Sequence, residues 1–228
     1  MTFLEDATLG VHVLLGFVAL VTGAGAIVTK KGGQRHRRLG RTYVYAMAVV
    51  SVTALGLLAF EQTLLRIFLG FVAVFSFYFA FSGYRVLSRK RTIDTPGTVD
   101  WVAAGLFGAS GVGLLAMGAW FLSNGNQFGI VMLVFGGIAL TTTVGDVRQF
   151  RATDLEPRTW FFEHINRMGG AYIATITAFL ATNAREVPGV PLPVIWLLPA
   201  AVGGVAIWYV SRQYRAKFDR GSSPQTTT

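Results

Sequence analysis

The chain contains three histidines and no cysteine, so any metal or cofactor chemistry has to come from few side chains. His164 is the most informative, because it shares one helical turn with an acid, a base and a thioether: Glu163, Arg167 and Met168. Ionisable groups inside a bilayer are costly and usually mark a functional site. His36 lies among arginines, just before another apolar stretch. We therefore treat these residues as candidates for one binding site.

Haem b is the first chemistry that this set of residues suggests. Two histidines on different helices can ligate one haem, and arginines can pair with its propionates. His36 and His164 satisfy this requirement if they lie on the same side of the membrane. A quinone-linked redox or binding site belongs to the same hypothesis. The cations available near His36 are Arg35, Arg37, Arg38 and Arg41.

Binding of a metal ion without haem is a weaker prediction. Zinc normally takes three or four His, Cys or carboxylate ligands, and the available donors are His36, His164, Asp146 and Glu163. No HExxH spacing preorganises them, and the arginines around His36 oppose a divalent cation. His164 and Met168, four residues apart, form a weak candidate for Cu(I). A zinc-dependent membrane hydrolase is therefore the weakest functional hypothesis, with His36 and His164 as the predicted ligands if a metal is bound.

Proton-coupled transport of a small molecule or a metal ion is the alternative to a redox function. His164, Asp146 and Glu163 are then the titrating groups. Structural roles compete with this interpretation, because Glu163 and Arg167 have the spacing of an ion pair on one helix face. Asp146 can likewise pair with an arginine of its own helix or of the loop after helix 1. Whether the chain is an enzyme stays open.

The elements that position these residues are membrane helices. The 228 residues are 53% hydrophobic and 14% charged, with a mean hydropathy of +0.53. Apolar runs of about 20 residues, enough to cross the hydrocarbon core, predict an all-α, seven-transmembrane-helix bundle over 1–220 and a disordered tail over 221–228. The predicted spans are Ala7–Thr29, Thr42–Phe60, Leu64–Leu87, Val99–Leu122, Phe128–Val147, Trp160–Thr182 and Pro193–Val210.

The orientation follows from the basic residues, most of which come after helices 1, 3, 5 and 7. Clusters of Lys and Arg stay on the cytoplasmic side, so the N-terminus is predicted outside and the C-terminus in the cytoplasm of a bacterial inner membrane. Glu5 and Asp6, rather than basic residues, precede helix 1, so a retained helix is favoured over a cleaved signal peptide. The distribution of the net charge of +9 argues against nucleic acid. The predicted partners are the lipid bilayer and a small molecule or ion, with a membrane-protein partner or a homo-oligomer left open.

His12 is expected to lie apart from the other histidines. It enters the membrane from the outer face, which leaves a gap on the order of 10 Å or more to His164. It lies on a stripe of small residues, Gly16 to Ala26, that favours close helix packing, so it is either a packing histidine or a separate site residue. The phenylalanine-rich helix 3 is expected to face lipid or a loosely packed groove.

Charge balance gives the most specific structural expectation. Asp146 and Glu163 lie at or just inside the membrane edge, and an unpaired buried carboxylate there is costly. We expect the segment around His36 to fold back against the start of helix 6. His36 then lies within about 10 Å of His164, and the neighbouring arginines, Arg37 and Arg38 among them, meet the two acids.

Two segments resemble a bacterial family of multi-helix membrane proteins classed as a domain of unknown function. They are "KGGQRHRRLGRTYVYAM" at 31–47 and "EHINRMGGAYIATITAFLATN" at 163–183. The family pairs an early intramembrane His with a Lys-Gly…His-Arg-x-x-Gly-x-x-Tyr loop and a later His-x-x-Arg-Met helix. The resemblance spans most of the chain, implies that the three histidines belong to one design, and implies no reaction. The matching positions are His12, Gly32, His36, Arg37, Gly40, Tyr43, His164, Arg167 and Met168.

Overall fold

Seven long helices build the fold. The computed structural model describes residues 2–91, 93–153, 156–183 and 189–221, and these ranges contain no strand. A single 3₁₀ turn, Val86–Ser88, extends the third helix. The predicted tail lies outside the described residues from 222 onwards, as does most of the Pro-rich link after helix 6. The helices are α1 Phe3–Val28, α2 Gln34–Phe60, α3 Leu64–Arg85, α4 Thr98–Ser123, α5 Gly129–Arg151, α6 Thr159–Thr182 and α7 Leu192–Gly221.

The predicted helices are confirmed, but the predicted start of α2 and the predicted end of α7 are wrong. α2 begins at Gln34 rather than Thr42, so the arginine-rich segment around His36 forms the first turns of a helix instead of a loop. Gln and Arg are good helix formers, but a search for apolar runs does not detect them because they are polar. α7 likewise continues well beyond Val210, through polar residues to Gly221.

Six helices, α1 to α5 and α7, are long and apolar enough to cross a membrane. The sixth in sequence order, α6, is excluded from that set because Glu163, His164, Asn166 and Arg167 lower its hydropathy. Large apolar side chains are exposed along the outer surfaces of the bundle, for example Phe17 on α1 and Val202 on α7. This surface suits contact with lipid acyl chains, so the chain has the character of a multi-pass membrane protein.

α3 lies at the centre of the bundle and packs against α2, α4 and α6. Its phenylalanines are buried: Phe68 contacts Trp196 of α7, and Phe75 contacts Phe107 of α4 and Phe135 of α5. The expectation that this helix faces lipid is therefore wrong. Phenylalanine is equally compatible with lipid and with a packed interior, so its abundance does not decide between the two.

The end of the bundle where α1, α3, α5 and α7 finish and α2, α4 and α6 begin carries most of the basic residues, and we call it the basic end. A close contact between α3 and α6 shapes this end. A Cβ added to Gly83 of α3 would lie 2.8 Å from the Cβ of Arg167 and 3.1 Å from the backbone nitrogen of Met168. Only glycine permits this approach, which brings the start of α6 against the end of α3.

Candidate functional site

Two histidines meet at the basic end. His36 is the third residue of α2 and His164 is the sixth residue of α6, and their ring centroids lie 6.3 Å apart with an angle of 77° between the planes. Both side chains are half-buried. The predicted proximity of His36 and His164 is therefore confirmed. The pair is assembled from residues far apart in sequence, because α6 packs against both α3 and α1.

Hydrogen bonds to the backbone orient both rings. The Nδ1 atom of His36 lies 2.9 Å from the carbonyl oxygen of Ala26, and Nδ1 of His164 lies 2.8 Å from the carbonyl oxygen of Gly83. A carbonyl oxygen can only accept, so Nδ1 carries the proton in each ring. Within the described ranges, neither Nε2 has a hydrogen-bond partner. In their neutral forms, both rings therefore present an Nε2 lone pair, which is the arrangement of a metal-ligating histidine.

Positive charge surrounds this pair. Lys31 and Lys90 lie close enough to His164 to interact electrostatically with its ring. The Lys31 ammonium donates to the carbonyl oxygens of Ala26, at 3.3 Å, and of Ile27. Ala26 therefore accepts from both Lys31 and His36. Partial burial lowers the pKa of Lys31, which lies in the link between α1 and α2. The histidine pair therefore lies in a positively charged environment.

The predicted contact between the arginines near His36 and the two acids is wrong. Arg167 serves both carboxylates instead: its Nε donates to Glu163 at 3.1 Å, and its two terminal nitrogens donate to Asp146, one of them at 3.0 Å. Arg37 and Arg38 are exposed, and their side chains have no partner among the residues that the structure describes. The local Glu163–Arg167 pair is confirmed.

Asp146 is a buried structural anion. Its residue surface is 3% exposed, and it accepts a third hydrogen bond from the Tyr78 hydroxyl. The Arg167–Asp146–Tyr78 network therefore ties α6, α5 and α3 together directly beside His164. Glu163 is more open and lines a small pocket with Gln149, Asp146 and Arg167. Only one of its carboxylate oxygens has a partner within the described residues.

His12 does not join this site. Its Nδ1 lies 3.1 Å from the carbonyl oxygen of Val50 and 3.0 Å from the hydroxyl of Thr53, so it connects α1 to α2. It precedes Ala26 by roughly 20 Å along the axis of α1. The structure therefore gives His12 the contacts of a packing histidine, and the resemblance that groups all three histidines in one design has no geometric support here.

The metal donors predicted from sequence are only partly brought together. No group of three or more His, Asp or Glu side chains in the described residues is arranged to hold a metal. Asp146 and Glu163 bind Arg167, and Met168 packs against Gly83 of α3. Only His36 and His164 remain as a pair of potential ligands.

Sequence reasoning missed three contributors to this site. The carbonyl groups of Ala26 and Gly83 orient the histidines, and a reading of side-chain types gives no signal for them. Tyr78 was identifiable, because it lies between two phenylalanines in the middle of α3, and a buried tyrosine hydroxyl needs a hydrogen-bond partner.

No protein-family model, no curated protein and no solved structure matches this chain.

Proposed function

We propose that this chain is a multi-pass membrane protein that binds haem b between His36 and His164 and takes part in electron transfer. One observation carries the proposal: two histidines on different helices, 6.3 Å apart, each hold Nδ1 on a backbone carbonyl and leave Nε2 for a ligand. Two metal–imidazole bonds of about 2 Å each, with a ring on either side, span a similar distance.

The charge around the pair favours haem over a bare metal ion. Lys31 and Lys90 repel a divalent cation near His164 but attract the two propionates of haem b. The exposed Arg37 adds to this positive potential. The two carboxylates that a zinc site here would need are bound to Arg167 instead. The donor set therefore fits a ligand that is neutral or anionic overall and has a metal at its centre.

The pair of histidines also favours one kind of haem chemistry. Haem b held by both His36 and His164 would supply one-electron transfer. The protein's contribution is to fix the two rings through Ala26 and Gly83 and to place cations beside the propionates. The dense packing of α3 against α6 holds His164 in register for this role.

Absorption spectroscopy tests the proposal. The full-length protein, purified in detergent from cells supplied with a haem precursor, should show a Soret band at a stoichiometry near one haem per chain. His36→Ala and His164→Ala should each abolish six-coordinate haem, whereas His12→Ala serves as the matched control and should retain it. Folded, haem-free wild-type protein after reconstitution with excess haemin would contradict the proposal.

A second candidate function is proton-coupled transport. Glu163 favours it, because this carboxylate is partly exposed, keeps one oxygen without a partner in the described residues, and lines a small pocket with Asp146 and Gln149. Asp146 contributes less than its position suggests, since Arg167 and Tyr78 engage it fully. Glu163→Gln should abolish proton flux in reconstituted vesicles if this is the function. Flux that persists in the variant would exclude it.

We further infer that all seven helices cross a bacterial cytoplasmic membrane, with the N-terminus outside and the basic end in the cytoplasm. The 24-residue α6 is long enough to span, and it packs between α3 and α7. A reporter fused after residue 228 should be active only if it is of the cytoplasmic type, and one inserted at 61–63 only if it is of the periplasmic type. The reverse result would overturn the orientation.

A further inference from the structure

A group of exposed cations at the basic end has no counter-charge. Its members lie in the link after α1 and in the first turns of α2, and their side chains make no ion pair or ring contact within the described part of the chain. No acidic residue occurs between positions 7 and 60. We call this group the α2 basic patch; it comprises Lys30, Arg35, Arg37, Arg38 and Arg41.

The cations at the end of α3 provide a contrast, because the fold satisfies each of them. Arg85 forms an ion pair with Asp100, and Arg91 forms one with Asp94. The remaining two lie over aromatic rings: Arg89 is 5.0 Å from the ring centre of Phe150, and Lys90 is 5.1 Å from that of Trp160. Both groups can fix membrane orientation equally well. The unpaired state of the α2 basic patch therefore needs a separate explanation.

The residues that follow the patch along α2 indicate what it binds. Arg41, Tyr45, Val49 and Val52 are spaced by four, four and three residues, so they share one face of the helix. Tyr45 is 64% exposed and Val52 is 69% exposed. Along this stripe a cation is followed by an amphipathic ring and then by aliphatic side chains. A phospholipid presents the matching order: its phosphate, its glycerol backbone at the membrane interface, and its acyl chains.

We infer that this face of α2 is a binding site for an anionic phospholipid. The phosphate lies against Arg38 and Arg41, Tyr45 lies at the depth of the glycerol backbone, and an acyl chain follows Val49 and Val52. Arginine suits this role, since its planar guanidinium group can bind a phosphate through two parallel hydrogen bonds. The site is independent of haem binding, because it uses the outer face of α2 and neither His36 nor His164.

The inference can be tested with the full-length protein in detergent–lipid micelles. Association of spin-labelled phosphatidylglycerol is compared with that of spin-labelled phosphatidylcholine by electron paramagnetic resonance. Wild-type protein should prefer the anionic lipid. Arg38→Gln with Arg41→Gln should weaken that preference by about thirtyfold, and Arg41→Gln alone by about fivefold, as expected for arginines at a membrane surface. The matched control is Arg148→Gln with Arg151→Gln, which removes the same charge from exposed positions and should leave the preference nearly unchanged.

Three outcomes would overturn the inference. The first is an equal affinity of the wild-type protein for the two lipids. The second is an equal loss in the control variant, which would show that only net charge matters. The third is displacement of the lipid by millimolar inorganic phosphate, or by a short oligonucleotide, with no effect of Tyr45→Ala, which would indicate a site for a soluble anion. Retained haem absorbance in every variant would confirm that the two sites are separate.

Discussion

The two ends of the bundle use the same residue types for different purposes. Towards the end opposite to the basic end, Arg66 bridges Glu5 and Glu61, and His12 bonds to Val50. At the basic end, Arg167 bridges two acids, and two histidines bond to backbone carbonyls. A histidine that is hydrogen-bonded to a neighbouring helix is therefore not by itself evidence of a functional site. What distinguishes the basic end is that a second imidazole lies 6.3 Å away.

Burial is the second difference between the ends. The side chain of Glu61 is 60% exposed, so one half of the Arg66 bridge is in solvent or headgroups. The side chain of Asp146 is 5% exposed and that of Arg167 is 10% exposed. A buried ion pair contributes little net stability, but breaking it leaves an uncompensated charge. The histidine pair at the basic end therefore lies next to a buried ion pair, and breaking that ion pair should destabilise the fold.

The largest expected effect comes from removing that support. Arg167→Met leaves Asp146 buried without its guanidinium partner and should lower the free energy of unfolding by about 3–5 kcal/mol. Denaturation in detergent, followed by circular dichroism, measures the loss. Arg66→Met is the matched control and should cost clearly less. Asp146→Leu combined with Arg167→Met should recover part of the stability, and no recovery would show that the loss does not arise from the stranded carboxylate.

The next effect concerns the contact that positions His164. Gly83→Ala places a Cβ 2.8 Å from Arg167 Cβ, so α6 has to move and the bond from His164 to the Gly83 carbonyl is disturbed. Loss of such a supporting contact should weaken haem binding about ten- to a hundredfold. A haemin titration measures the change. Gly16→Ala, where an added Cβ meets no atom within 4 Å, should bind as wild type does. Equal haem affinities of the two variants would show that the contact with α3 does not position His164.

Helix positions were predictable because a span of about 20 apolar residues has few alternatives in a membrane protein. The proximity of His36 and His164 was also predictable, since His36 precedes predicted helix 2 and His164 lies near the start of predicted helix 6, on the same predicted side. The partner of Asp146 was not, because Arg167 has the correct spacing for Glu163, and only the fold brings Asp146 of α5 to the same guanidinium group. The burial of α3 was missed because phenylalanine suits lipid and protein interiors alike. No pattern of side-chain types predicts the backbone carbonyl groups that orient both histidines.

A smaller effect should follow from changing His12. His12→Ala removes the hydrogen bond to the Val50 carbonyl and should lower the free energy of unfolding by about 1 kcal/mol. Thr53→Val should cost less, because the Val50 carbonyl remains available to accept from His12. Neither variant should alter the Soret band. Loss of the Soret band in His12→Ala would instead indicate that all three histidines act together, as the family resemblance implies. The difference between the two ends of the bundle would then not hold.

The smallest effect is a dependence of stability on alkaline pH that arises at the basic end. Partial burial lowers the pKa of Lys31, so between its folded-state pKa and the usual lysine value of about 10.4 the unfolded chain binds more protons than the folded chain. The free energy of unfolding therefore gains a contribution that rises with pH across this interval and is lost as the pH falls below it. Lys31→Met should remove that rise.

Lys30→Met is the matched control for this measurement, because the Lys30 side chain is exposed and has no partner among the described residues. Its pH profile should follow that of the wild-type protein. The contrast between adjacent lysines has a structural cause: Lys31 turns back onto the Ala26 and Ile27 carbonyls, and Ala26 also accepts the proton of His36. Lys31→Met should therefore also shift the haem spectrum or affinity slightly. Identical pH profiles for both variants would show that folding does not lower the pKa of Lys31.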